Sequence, residues 1–372
     1  FSFFGTPINA QGLNIILPVG ISFYTFQTLS YTIDVYKRKL EPRKDFIAFT
    51  AFVSFFPQLV AGPIERATNL LPQFYKKRTF EYDKAVDGLR QILWGLFKKI
   101  VIADNCAQIA NEIFNNSADY SGSTLVLGAI FFTFQIYGDF SGYSDIAIGT
   151  SRLFGFDLKQ NFAFPYFSRD IAEFWRRWHI SLSTWFRDYL YIPLGGSRGG
   201  TWMKVRNTFI IFIVSGFWHG ANWTFIVWGA LNALYFLPLL LLNKNRSNTD
   251  TVAQGKHLPS FKEFYQIGIT FSLTVLAWVF FRAENIEHAI SYISEIFSSS
   301  LFTIPKVRPR NTILLITIFV VIEWLGREGQ YAIAHLGIKW KRPIRWSLYI
   351  SLILLIFYTG NFKENIFIYF QF

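Results

Sequence analysis

Apolar residues along this 372-residue chain gather into windows close to or longer than a membrane span, separated by short polar and basic stretches. The windows cover residues 13–33, 46–61, 123–148, 208–242, 266–281, 313–325 and 347–357, and each predicts a helix. They contain Gly, Ser, Thr and Tyr rather than plain Leu, which predicts helices packed on one another around a polar interior. Residues 207–243 hold no Asp, Glu, Lys or Arg. At about 1.5 Å per residue this run is longer than a hydrocarbon core of roughly 30 Å, so it must tilt, overhang or break, with Gly216, Gly220 and Asn222 as the expected break points. Entry at Arg206 would put His219 near mid-depth.

A second pattern occupies residues 166–196. Ile171, Phe174, Trp175, Trp178, Leu182, Trp185, Phe186 and Tyr189 recur at spacings of three and four, with Arg169, Glu173, Arg176, Arg177, Ser183 and Arg187 between them. This predicts an amphipathic helix lying along the membrane interface, N-capped by Ser168, with a Glu173–Arg177 pair and a stop at Pro193, Gly195 and Gly196. Residues 56–66 carry Pro57, Gly62 and Pro63 at the end of an apolar window and predict a broken or re-entrant segment that only a protein interior or a cavity tolerates.

Composition agrees with the pattern: 52% of residues are hydrophobic, 20% aromatic and 16% charged, more apolar surface than a water-soluble domain can hide. The expected fold class is therefore all-α, a polytopic integral membrane protein, read as a single domain over residues 1–372. The net charge of +12 is not a nucleic-acid signature, because the basic residues lie in short runs between apolar windows. They read as cytoplasmic topology signals at 37–44, 76–78, Lys98 and Lys99, 198–206, 244–246 and 339–345. Residues 111–121 and 283–305 carry acidic residues without basic ones and are expected outside, while 306–310 fits this scheme poorly. One cysteine, Cys106, excludes an intrachain disulfide and a Cys-rich metal site. The chain starts at Phe1 without a methionine or a basic signal-peptide region, so it is expected to be part of a longer protein.

The candidate chemistry lies within the apolar windows. His219 follows Phe217 and Trp218 inside the uncharged run, and ionisable groups there are functional candidates by default. His179 follows Trp178 in the amphipathic segment. Asp139 and Asp145, six residues apart, need partners inside an apolar window, and Arg176, Arg177 and Arg187 are the candidates. There is no nucleotide-binding loop and no paired metal-ligand motif. A buried neutral histidine suits a general base acting on a hydroxyl or a relay in a proton-coupled transporter, and the residues by themselves leave both readings open.

Several runs resemble the membrane-bound O-acyltransferase family, in its bacterial branch of alginate and peptidoglycan O-acetyltransferase membrane subunits: residues 20–27, 56–66, 137–145, 173–185 (with Trp175-Arg176-Arg177-Trp178-His179) and 215–222 (with Phe217-Trp218-His219-Gly220). The resemblance implies a ring of tilted helices around a tunnel, His219 as the catalytic histidine and His179 as a second active-site position. Trp218, Asn222, Asp139, Asp145, Trp178, Arg176 and Arg177 are the expected tunnel-lining residues. It implies no bound cofactor or metal, acetyl-coenzyme A as donor, and coenzyme A phosphates near Arg198, Lys204 and Arg206. The last residues, 367–372, resemble the Phe-x-Tyr-x-x-Phe tail of acyl exporters, which makes Tyr369 the expected relay: His219 would deprotonate it, and the acetyl-tyrosine would serve an extracytoplasmic acetyltransferase partner acting on a polysaccharide. The implied location is the bacterial plasma membrane, crossed several times. A D-alanyl exporter of the same family, a secondary transporter and a membrane scaffold for polysaccharide export are the alternatives.

Overall fold

The computed structural model describes residues 20–362, which are helical and contain no strand. In chain order the helices are α1 (Ile21–Tyr36), α2 (Phe46–Val53), α3 (Ala67–Phe74), α4 (Tyr82–Leu96), α5 (Asp104–Asn115), α6 (Gly122–Leu153), α7 (Ile171–Arg177), α8 (Ile180–Phe186), α9 (Gly200–His219), α10 (Trp223–Leu241), α11 (Phe261–Arg282), α12 (Ile286–Ile296), α13 (Arg310–Gly326) and α14 (Arg342–Thr359). Of these, α6, α10 and α11 are each long and apolar enough to cross a membrane. Window 46–61 does not form a span. Only the eight residues of α2 are helical there, about 12 Å of rise, and the chain then turns through Pro57, Gly62 and Pro63 with Gln58, Ala61 and Glu65 buried.

Helix α6 is the centre of the molecule, buried along most of its 32 residues and packed by α4, α5, α11 and α12. Its closest neighbour runs antiparallel. Gly88 and Gly95 of α4 face Gly149 and Gly142 of α6, and a Cβ on Gly142 would lie 2.8 Å from the Gly95 carbonyl oxygen. The two backbones therefore touch at places only glycine allows. Replacing Gly142 with leucine should lower stability by about 1–3 kcal/mol, read as an earlier unfolding transition in detergent.

That approach brings α6 carboxylates against a π-helical stretch, Phe97–Ala103, that follows α4. Lys98 pairs with Asp145 at 2.6 Å, and Lys99 bridges Asp139 and Asp104, each at 2.8 Å. Two sequence expectations are corrected here. Lys98 is 3% exposed and Lys99 half-buried, so these lysines are internal ion-pair partners and not topology signals. Arg176, Arg177 and Arg187 do not meet the aspartates; Arg176 and Arg177 instead hold the loop after α10, donating to the carbonyls of Asn245, Asn248 and Asp250.

The amphipathic segment also departs from expectation. It breaks at Trp178 and His179 into α7 and α8 and passes through the interior, with Trp178 and His179 3% and 1% exposed. Its N-cap is Asp170, which accepts from the Glu173 amide, while the Ser168 hydroxyl donates to the Pro165 carbonyl. Glu173 pairs with Arg177 at 2.9 Å as expected and also with Arg169 at 3.0 Å. Arg169 in turn holds Asp250, whose carboxyl is kept below the ordinary range mainly by this hydrogen bond. The clamp is therefore present at neutral pH and lost as the pH falls through the acidic range.

Candidate active site

Helices α9 and α10 form a hairpin. The uncharged run breaks where Gly220 adopts φ 163° and Asn222 caps α10, its side chain accepting from the Thr224 amide. Gly216 stays helical but lies so close to α10 that a Cβ would strike the Phe225 carbonyl. His219 is thus the last residue of α9 rather than a mid-helix position. Asn222 donates to the Glu284 carbonyl, so the hairpin tip meets one of the acidic stretches expected outside, and Arg282 at the end of α11 donates to Asn111 in the other. The basic runs at 198–206 and 244–246 lie together at the opposite end.

A cavity of about 520 Å³ runs between these ends. One face of α9 lines it through Lys204, Thr208, Ile211, Phe212, Ser215 and His219. The rise from Lys204 to His219 corresponds to about 22 Å of helix. Arg187, Lys204 and Arg246 line the end near the basic runs, and His179 joins His219 at the other. Between them the walls are aromatic, with Trp175, Trp178, Trp228, Trp278 and Phe281.

The tautomer of His179 follows from its neighbours. Its Nδ1 lies 3.1 Å from Asn161 Oδ1, and that atom also accepts from the Ser181 backbone amide and from the Ser181 hydroxyl. A backbone amide only donates, so the Asn161 atom is the carboxamide oxygen and Nδ1 must carry the proton. The lone pair is then on Nε2, which is buried with no hydrogen-bond partner among the described residues. The Asn161 amide nitrogen is anchored by the Ser144 hydroxyl of α6. His179 itself has φ 44°, a left-handed conformation rarely taken by non-glycine residues and held here by the Ile180 amide donating to the Asn161 carbonyl. Such an imidazole can accept a proton from a hydroxyl in the cavity. The His219 ring packs against Trp228 and Phe281, with centroids 5.2 and 4.9 Å away.

Of the residues expected at the tunnel, His179, Trp178 and His219 line the cavity. Trp218 does not; its ring centroid lies 6.4 Å from that of His179 and 4.8 Å from that of His219, against Phe23 and Phe26. Asn222 belongs to the hairpin tip, Asp139 and Asp145 to the ion-pair cluster, and Arg176 and Arg177 to the loop clamp. Lys204 lines the basic end, whereas Arg206 donates to Asn207 and to the Leu194 carbonyl, and Arg198 is not on the wall. Tyr369 lies outside the described residues.

Comparison with known proteins decides the family. The model of the membrane-bound O-acyltransferase family matches residues 42–281. The chain belongs to this family. It is 41% identical to a probable alginate O-acetylase of Pseudomonas aeruginosa over 86% of this chain and 60% of that protein. It is 33% identical to a peptidoglycan O-acetyltransferase of Helicobacter pylori over 97% of this chain and 76% of that protein. A teichoic acid D-alanyltransferase of Bacillus subtilis matches at 27% identity over 74% and 71%. The chain thus spans about three fifths of the length of the Pseudomonas aeruginosa relative.

This membrane-bound O-acyltransferase family chain also places residues at the site that its sequence did not single out. Asn161 lies in the irregular link between α6 and α7 and shows no periodicity. Arg246 was grouped only with a basic run, and its signal would have been the hairpin that returns α10 to the start of α9.

Proposed function

We propose that this chain is the membrane part of an O-acetyltransferase that takes an acetyl group from acetyl-coenzyme A and passes it across the bilayer for O-acetylation of an extracytoplasmic polysaccharide such as alginate or peptidoglycan. The reading is carried by one observation: a single cavity joins a cationic mouth to two histidines, the buried His179 and the part-buried His219. Arg187, Lys204 and Arg246 suit the donor's phosphates, and the aromatic walls keep water from the thioester. At the far end, His219 takes the hydroxyl proton as the acceptor oxygen bonds to the acetyl carbon. The carbon–sulfur bond breaks, and the departing thiolate receives that proton from the His219 imidazolium, which restores the neutral base. His179, whose lone pair is on Nε2, accepts a hydrogen bond that orients the incoming hydroxyl. Tyr369 is the proposed first acceptor, from which a second, extracytoplasmic protein would take the acetyl group.

Full-length protein in lipid, incubated with radiolabelled acetyl-coenzyme A, should acquire covalent label, and Tyr369→Phe should not. Wild type that neither acquires label nor releases free coenzyme A would overturn the acetyltransferase reading. Label that persists in Tyr369→Phe would remove only the tyrosine relay. Exchanging Arg246 for glutamine should raise KM for acetyl-coenzyme A about tenfold with little change in kcat, as loss of one phosphate contact requires. The likeness to teichoic acid D-alanyltransferases keeps one competitor open, a D-alanyl exporter. It would prefer a carrier-bound D-alanyl thioester to acetyl-coenzyme A.

A further inference from the structure

A second cavity, of about 370 Å³, lies on the other side of Arg187 from the histidine cavity. Arg66, at the end of the turn through Pro57, Gly62 and Pro63, supplies its floor. The Arg66 side chain is unusual for a guanidinium. The residue is 8% exposed, its Nη1 has no hydrogen-bond partner among the described residues, and its one carboxylate contact, Nη2 to Asp188 Oδ2, is long at 3.4 Å. The guanidinium plane also lies over the Tyr189 ring at 4.7 Å. Taking such a cation out of water without filling its donors is costly, so the arrangement asks for an anion in the cavity.

The rest of the wall has the same polarity. Lys39 and Lys159 line it from α1's C-terminal side and from the α6–α7 link, and neither ammonium forms an ion pair among the described residues. Thr68 lines it from the first turn of α3, where the positive end of the helix dipole lies. Two carboxylates oppose these four cations. Asp188 is already bonded to Arg187 at 2.8 Å, and Asp34 accepts from the Tyr189 hydroxyl at 2.7 Å. The surplus is positive.

We infer that this cavity is a second anion site, built to hold a phosphate group through the Arg66 fork with Lys39 and Lys159 at its rim. A guanidinium offers parallel donors that match two phosphate oxygens, and the cavity has room for the group attached to the phosphate. The phosphate would come from a phospholipid headgroup or from a soluble phosphate ester. The site shares Arg187 with the proposed donor mouth but otherwise uses different residues from Lys204 and Arg246, and it does not depend on acetyl transfer.

The test is calorimetric titration of detergent-purified full-length protein with dioctanoyl phosphatidylglycerol, with dioctanoylglycerol as the phosphate-free control, and with glycerol 3-phosphate as the soluble phosphate ester. Saturable binding of either phosphate probe, weakened tenfold or more by Arg66→Gln and unaffected by Arg246→Gln, supports the site, and the probe that binds identifies the source. Lys159→Gln, an exposed position, should weaken the same probe and keeps the test valid if Arg66→Gln does not fold. Binding that responds to Arg246→Gln but not to Arg66→Gln or Lys159→Gln would place the anion at the donor mouth and overturn the inference. So would equal binding of dioctanoylglycerol, or no binding of either phosphate probe.

Discussion

Replacing His219 with alanine should lower the rate of acetyl transfer by about 10²–10⁴-fold, the usual worth of a positioned general base. The loss should fall on kcat, because the basic mouth proposed to receive the donor is at the other end of α9 and stays intact. Unfolding should move little by comparison, since His219 is at a helix end beside a cavity and its ring neighbours include Trp228 and Phe281, which also pack on each other. The companion change is Asn161→Leu. It removes the acceptor that keeps the proton on His179 Nδ1, so Nε2 is no longer fixed as the lone-pair nitrogen. Loss of one such hydrogen bond corresponds to about a tenfold drop in kcat. KM for acetyl-coenzyme A should not change. Steady-state kinetics on reconstituted protein check both. A His219→Ala enzyme with wild-type kcat would remove His219 from the proposed mechanism.

The histidine sites differ in how much the sequence revealed. The run 207–243 is uncharged and too long for one span, and Gly220 offers a break, so the α9–α10 hairpin follows from length and glycine placement, whereas counting from Arg206 puts His219 near mid-depth and not at the hairpin tip where it lies. Residues 166–196 gave the right periodicity and the wrong setting. A spacing of three and four is the same for a helix on an interface and for one packed on several sides. Burial on the polar face is decided by what neutralises it, and here Arg169, Glu173 and His179 are met by Asp250 and Asn161 from distant links. Lys98 and Lys99 were misread for a related reason. Two lysines after an apolar run look like a cytoplasmic boundary, and only the π-helical turn that directs them at α6 makes them internal. In window 46–61 the break at Pro57, Gly62 and Pro63 is legible, but mean apolarity does not show that the helix already stops at Val53, four residues before Pro57.

Exchanging Lys98 for methionine should be among the most destabilising single changes in this protein. Lys98 is 3% exposed and its ammonium lies 2.6 Å from Asp145 Oδ2, so methionine would leave that carboxylate with only the Gln91 side chain, 2.7 Å from Oδ1. Breaking one side of a buried ion pair costs about 3–5 kcal/mol, because the remaining charge is neither hydrated nor neutralised. The damage should spread. Tyr137, whose ring lies 5.7 Å from Lys98 Nζ, donates to Glu323 Oε2, and Trp94 donates to Glu323 Oε1, so a second carboxylate from α13 shares the same polar core. A double variant, Lys98→Met with Asp145→Leu, removes both charges and should recover most of the loss, since a buried pair replaced by apolar groups is often neutral. Denaturant unfolding in detergent of wild type, both single variants and the double measures the coupling. A Lys98→Met midpoint equal to that of wild type would mean Asp145 does not rely on this lysine. A large coupling would show that the cluster specifies how α4, α6 and α13 are registered, and thus where Ser144, one residue from Asp145, holds Asn161 against His179.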